Sequence, residues 1–179
     1  MFQVRIHGRG GQGVVTAAEM LSLAAFFEGK YAQAFPSFGS ERTGAPVVAF
    51  CRISDREIRL REPIMEPNAV IIQDCTVIDS ANAFHGLVEK GFILVNSNHD
   101  INHGLKNVSL KCISATEIAL EHIGKPIPNA VLLGSFAGLT GILKIESVIE
   151  AIKTKFSGAI GEKNIAAARV AYDRTLEVG

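Results

Sequence analysis

Apolar and polar positions follow two different periods along the chain. Phe2, Val4 and Ile6 alternate with Gln3, Arg5 and His7, the period of a strand with one apolar face. Val14–Phe27 is rich in Ala and Leu and predicts a helix that Gly29 ends. Tyr31–Phe35 predicts a short second strand, stopped by Pro36. Val47–Ile53 and Glu57–Leu60 flank Ser54-Asp55-Arg56 and predict an antiparallel hairpin. Ala69–Ile72 and Phe92–Asn96 are unbroken apolar runs, the mark of strands buried on both faces. A helix is expected over Val77–Val88 and a sixth strand over Val108–Ile113. The rest reads as helix: Ala115–His122, Ala130–Leu143, Glu146–Phe156 and Asn164–Leu176.

Strands that alternate with helices predict an α/β fold with a largely parallel sheet. The expected architecture is a single Rossmann-like domain over residues 1–179. Its sheet is mixed but mostly parallel, with an antiparallel hairpin, helices on both faces and a helical C-terminal third. Gly134, Gly138 and Gly141 lie at near-helical spacing and predict close helix packing, and Ala166, Ala167, Ala168 and Ala171 make the last helix slim enough to pack closely.

Composition narrows the function classes. The 179 residues are 47% hydrophobic and 20% charged, so general disorder is excluded. Eighteen basic and 18 acidic residues cancel, which argues against a nucleic-acid binder or a membrane binder. The balance is uneven along the chain. Residues 1–62 hold eight Lys or Arg against six Asp or Glu; residues 63–179 hold ten against twelve. Seven of the nine arginines, including Arg5, Arg9 and Arg52, fall in the first part, where most read as a solvated strand face and rim charges. Cys51, Cys75 and Cys112 form no CxxC pair and no zinc or cluster spacing, so reduced thiols in a cytoplasmic protein are expected and no metal is assigned. No secretory leader is visible at the start. The apolar stretch Ala130–Leu143 is too short for a bilayer, which needs about 20 residues.

Chemistry concentrates in two loops. Gly8, Gly10 and Gly13 satisfy G-x-G-x-x-G between a strand and a helix, the setting in which backbone amides and a helix N-terminus receive a phosphate. Arg9 adds a charge. The alternative is a tight turn with no ligand. A dinucleotide such as NAD would need an acidic residue at the end of the second strand, and Tyr31–Phe35 has none. In the second loop Ser37, Ser40, Arg42 and Thr43 could converge with the first on one anion, with Glu41 and Arg42 alternatively a surface ion pair. Asp74 reads as a helix N-cap, and His7 is the one histidine placed near the loop.

These two loops also carry a family resemblance. His7-Gly8-Arg9-Gly10-Gly11-Gln12-Gly13-Val14-Val15-Thr16-Ala17-Ala18 and Gln33-Ala34-Phe35-Pro36-Ser37-Phe38-Gly39-Ser40-Glu41-Arg42-Thr43-Gly44-Ala45-Pro46 resemble the two signatures of the gamma subunit of 2-oxoacid:ferredoxin oxidoreductases, nearest the pyruvate branch. The resemblance implies a gamma-type catalytic domain over the whole chain. It implies an assembly with alpha, beta and delta subunits that oxidatively decarboxylates a 2-oxoacid, passes electrons to ferredoxin and yields acyl-coenzyme A. Thiamine diphosphate, Mg2+ and [4Fe–4S] clusters would lie in the partners. This chain would supply no catalytic residue and bind no cofactor alone, but would help to form the coenzyme A site. The residues expected there are Gly8, Arg9, Gly10, Gly11, Gln12, Gly13, Ser37, Ser40, Glu41, Arg42 and Thr43. A stand-alone NAD-binding oxidoreductase and a ligand-free structural subunit remain the alternatives.

Overall fold

A computed structural model describes residues 1–37, 43–102 and 104–177. The elements run β1 (Phe2–Arg9), α1 (Val14–Phe27), β2 (Tyr31–Pro36), β3 (Pro46–Ser54), β4 (Ala69–Ile72), a 3-10 helix (Cys75–Val77), β5 (Phe92–Asn96), β6 (Ser109–Ile113), α2 (Ala115–Ile123), α3 (Asn129–Thr140), α4 (Ile145–Lys155) and α5 (Gly158–Leu176). The expected α/β domain, mixed sheet and helical C-terminal third are all present.

The six strands lie in the order β2-β3-β1-β4-β5-β6. Pairing is parallel through β1, β4, β5 and β6, and antiparallel where β3 meets β1 and β2. The chain leaves β1, crosses through α1 and returns as β2 one position too far out. β3 then runs back into the gap. The antiparallel hairpin is therefore β2–β3, and the strand expected over Glu57–Leu60 is absent. The reason is geometric: β3 is bonded along both edges and offers no ladder to a further strand. Glu57, Arg59 and Leu60 run exposed instead.

One face of the sheet carries the large core. Val4 and Ile6 of β1, Val47, Ala49, Cys51 and Ile53 of β3, and Ile71 of β4 meet apolar residues of all five helices. Where α3 crosses α5 the backbones nearly touch. A β-carbon on Gly134 would strike the Ala168 carbonyl, and one on Gly138 would lie 3.1 Å from the Tyr172 carbonyl oxygen. Gly141 serves differently, as the left-handed cap of α3.

The second face is covered by the 3-10 helix and the turns that follow, where a helix over Val77–Val88 was expected. Asn82 (φ 43) and Gly86 (φ 74) take left-handed backbone that breaks a helix there. The break has a use. Arg5 is buried on this face and donates from Nη2 to the carbonyls of Ala83 (2.8 Å) and His85. In a helix interior those carbonyls would be taken by the backbone. Arg52 is buried beside it and donates to Gln3 Oε1 (3.0 Å), Gln33 Oε1 (3.3 Å) and the Glu62 carbonyl (2.6 Å). Arg5 and Arg52 thus correct the reading of a solvated arginine face; Arg56, Arg59 and Arg61 do lie exposed.

Gly134→Ala is expected to lower stability by about 1–3 kcal/mol through overpacking against α5. At Gly138, where contact is looser, the helix-propensity gain of about 1 kcal/mol should nearly offset the crowding. Urea midpoints of the two variants test the difference.

Candidate functional site at the carboxyl edge of the sheet

Alternation places Gly8 on the helix side of β1, and α1 must start at once to cover it. A β-carbon at Gly8 would lie 2.7 Å from Val14 Cγ2 and 3.2 Å from Gln73 Cβ. Gly13 makes the turn in left-handed backbone (φ 75, ψ 33) and caps α1, whose first intrahelical bond runs from Ala17 N to Gly13 O at 2.9 Å. The N–H groups of Val14, Val15 and Thr16 therefore have no intrahelical acceptor. No side chain caps this end, and its first turn holds no acid. A cavity of about 550 Å³ opens here, lined by Arg9, Gly10, Gly11, Gly13, Val14, Val15 and Thr16, with Pro36, Ser37 and Val47 opposite.

The second loop reaches the first through β3. Arg9 faces Pro46 at the end of the β1–β3 ladder. Two bonds continue it, Gly10 N to Ala45 O at 2.9 Å and Gly44 N to Gly10 O at 3.1 Å. β1 and β2 are not neighbours, so the loops converge because β3 starts from one and pairs beside the other. The same insertion counts against an NAD site, since the end of β2 is a full strand removed from β1.

Arg9 is held firmly beside the cavity. Its Nε and Nη2 donate to Thr76 Oγ1 at 2.9 and 2.6 Å, and its Nη1 to the Gly44 carbonyl at 2.9 Å. Asp74 Oδ2 lies 3.5 Å from Nε and offsets part of its charge. Asp74 caps the 3-10 helix, accepting from Thr76 N at 3.0 Å. Burial works to raise the Asp74 pKa, but hydrogen bonds from Thr76 and Gln12 and the Arg9 charge outweigh it and hold the carboxyl below its ordinary range. Gln12 turns under the loop, accepting from Arg9 N at 2.8 Å and donating to Asp74 Oδ2 at 2.9 Å.

The expected site residues thus separate by position. Arg9, Gly10, Gly11, Gly13 and Ser37 line the cavity; Gly8 and Gln12 stand behind it; Thr43 is exposed in a turn and does not line it. Ser40, Glu41 and Arg42 lie outside the described residues. Three contributors escaped the sequence reading: Gln73, Thr76 and Asn129. Asn129 is buried at the start of apolar α3 and donates to Gly13 O at 3.2 Å, while Gln73 donates to Asn129 Oδ1 at 2.8 Å. A polar residue opening an uncharged apolar helix was the one available signal.

His7 does not reach the cavity. It alternates onto the second face with Arg5, is buried, and has no hydrogen-bond partner on either ring nitrogen among the described residues. Burial, and then the Arg5 charge, pull its pKa down to about 4.

A family model described as pyruvate ferredoxin/flavodoxin oxidoreductase matches residues 3–174. The chain is 49% identical over 180 residues to the pyruvate/ketoisovalerate oxidoreductases common subunit gamma of Pyrococcus furiosus, covering 98% of this chain and 97% of the relative. Among solved structures it is similar to the pyruvate oxidoreductase subunit PORC of Thermotoga maritima, with a TM-score of 0.83 and 37% identity over 96% of this chain and 95% of that one. It also superposes, with a TM-score of 0.82, on 31% of the 2-oxoglutarate:ferredoxin oxidoreductase of Magnetococcus marinus, solved with 2-oxoglutarate, coenzyme A and succinyl-CoA bound. That match covers 99% of this chain at 14% identity and shows the shared fold.

The neutral burial of His7 sets a pH dependence. Its folded pKa lies below the unfolded value near 6.5, so stability is full above that value and is lost as pH falls toward about 4. The loss amounts to about 3 kcal/mol. His7→Leu should remove this component. Its stability relative to the parent chain should rise as pH falls from about 6.5 to 4, read from denaturant titrations at each pH.

Proposed function

The chain belongs to the pyruvate ferredoxin/flavodoxin oxidoreductase family and is a gamma subunit of a pyruvate/2-oxoacid:ferredoxin oxidoreductase; from that premise we propose that its glycine loop and the first turn of α1 receive the diphosphate of coenzyme A. The observation that carries this is the uncapped, acid-free start of α1 opening onto the cavity. Unpaired N–H groups and the positive end of the helix dipole favour an anion there. The cavity volume of about 550 Å³ suits one end of a ligand of that size. The 2-oxoglutarate enzyme, 31% of whose chain shares this fold, was solved with coenzyme A bound. Arg9 lines the cavity with its guanidinium restrained by Asp74 and Thr76, so among the described residues the backbone supplies most of the attraction.

The division of labour follows from this chain's side chains. Cys51 is buried, and Cys75 and Cys112 are half-buried in separate strands and turns. Among the described residues no group of three or more His, Cys, Asp or Glu could hold a metal ion. These residues do not fit an iron–sulfur cluster, and we assign the [4Fe–4S] clusters, thiamine diphosphate and Mg2+ to alpha-, beta- and delta-type partners. Those groups supply decarboxylation and electron transfer to ferredoxin. This chain binds and orients the thiol substrate that takes the acyl group. Pyruvate is the 2-oxoacid we assign. A Pyrococcus relative is named as common to pyruvate and ketoisovalerate oxidoreductases, which supports a gamma subunit that does not itself select the oxoacid. No described helix is long and apolar enough to cross a membrane, and we place the enzyme in the cytoplasm.

Thr16→Asp separates binding from folding. A carboxylate in the first turn favours the helix by about 0.3–1 kcal/mol but opposes a bound diphosphate. In the assembled enzyme the KM for coenzyme A should rise about tenfold or more, which is about 1.4 kcal/mol, while the KM for pyruvate and the thermal midpoint hold. An unchanged KM for coenzyme A overturns the assignment.

A further inference from the structure

Behind the glycine loop lies a row of buried side-chain amides that the proposed binding site does not itself use. We infer that Gln73 and Asn129 are positioning residues for the anion-binding edge of α1, acting through the Gly13 carbonyl to aim the free N–H groups of the first turn. The inference rests on the coenzyme A reading above.

Gln73 is anchored on both sides of its backbone. Its N–H donates to His7 O at 2.8 Å, and its carbonyl accepts from Asn96 Nδ2 at 2.9 Å. From that anchor Nε2 donates to Asn129 Oδ1 at 2.8 Å, and Asn129 Nδ2 donates to Gly13 O at 3.2 Å. The Gly13 carbonyl is also the first acceptor of α1, taking Ala17 N at 2.9 Å. A β-carbon on Gly13 would lie 2.5 Å from Asn129 Nδ2, so the amide occupies the space a side chain there would need. Asn96 extends the row: it donates to Thr116 Oγ1 at 2.8 Å and accepts from Thr116 N at 3.1 Å. The starts of α1, α3 and α2 are thereby tied to the ends of β4 and β5 through three uncharged carboxamides.

The order of the relay is set at its far end. A carbonyl can only accept, so Asn129 must turn Nδ2 toward Gly13 and Oδ1 toward Gln73. Gln73 must then present Nε2, and its Oε1 is left buried with no hydrogen-bond partner among the described residues. An unpaired buried acceptor costs stability. An apolar side chain at this position would avoid that cost. The amide is explained by the donor it delivers to Asn129, and through Asn129 to the loop. Carboxamides also suit the place because they are neutral. A carboxylate of the same shape at Asn129 would lose the donor and set a negative charge beside the helix N-terminus.

Gln73→Met tests this in the assembled enzyme, since it keeps length and volume while deleting both the donor and the unpaired oxygen. Met removes the unpaired Gln73 oxygen but leaves Asn129 Oδ1 without its donor, so the expected result is a thermal midpoint close to the parent's, with the KM for coenzyme A raised about tenfold, as for one lost hydrogen bond, and kcat little changed. Asn129→Asp should raise that KM further. Thr16→Asp is measured alongside. A raised KM in Thr16→Asp with parent-like values in Gln73→Met and Asn129→Asp overturns the relay and leaves the binding site standing. Parent-like values in all three overturn the binding site and the relay with it. A fall in thermal midpoint, kcat and coenzyme A affinity together in Gln73→Met shows a structural role only and overturns the inference.

Discussion

The antiparallel insertion of β3 between β1 and β2 is the constraint on which the rest of the molecule depends. It satisfies both edges of a central strand with one segment, so the strand can be buried on both faces. It also extends the β1 ladder past Arg9 to Gly10, where the chain entering β3 bonds the glycine loop in both directions. A doubly wound sheet with β2 directly beside β1 would deprive Gly44 and Ala45 of the β1 edge to which they bond and would present a different crevice. The same insertion that removes the ribose-binding position of a dinucleotide fold brings Gly44 and Ala45 against the glycine loop at the start of α1.

The two faces of the sheet meet different demands. The helix face is apolar and close-packed, with glycines and alanines letting α3 and α5 touch along their backbones. The opposite face buries two arginines without a carboxylate directly bonded to either. Arg5 Nη2 and the Arg52 donors go to backbone carbonyls and to the side-chain oxygens of Gln3 and Gln33, while Arg5 Nε has no partner among the described residues; Arg52 also stands 5.3 Å over the Phe35 ring. Irregular backbone suits that face, because turns leave carbonyls free to accept where a helix would not.

The candidate site uses the same economy of charge. Among the described residues it offers an anion the unpaired N–H groups of a helix start, and the Arg9 guanidinium beside them is partly neutralised by Asp74. The groups that hold the loop from behind, Gln12, Gln73 and Asn129, are all carboxamides. They provide donors and acceptors in a fixed direction without adding charge near the ligand.

Much of this was legible in the order of residues. Strands β1, β4, β5 and β6 and helices α1 to α5 are written in local periodicity and in the Gly and Pro residues that end them, because each buries a stripe against whatever lies beside it. The glycine loop and its family signature are local for the same reason: a tight strand-to-helix turn must be made by contiguous residues. Partner choice is not local. That β3 would fill the gap next to β1, and so leave Glu57–Leu60 with no strand to join, depends on which edges remain open once the sheet forms. That Val77–Val88 would surrender its helix depends on buried Arg5 needing carbonyls. The relay from Gln73 to Asn129 to Gly13 joins residues far apart in the chain, and no periodicity records it. Local sequence determined the elements and the glycine turn between β1 and α1. The tertiary structure decided which of them became neighbours, because hydrogen-bonding edges and buried donors are satisfied only across the whole fold.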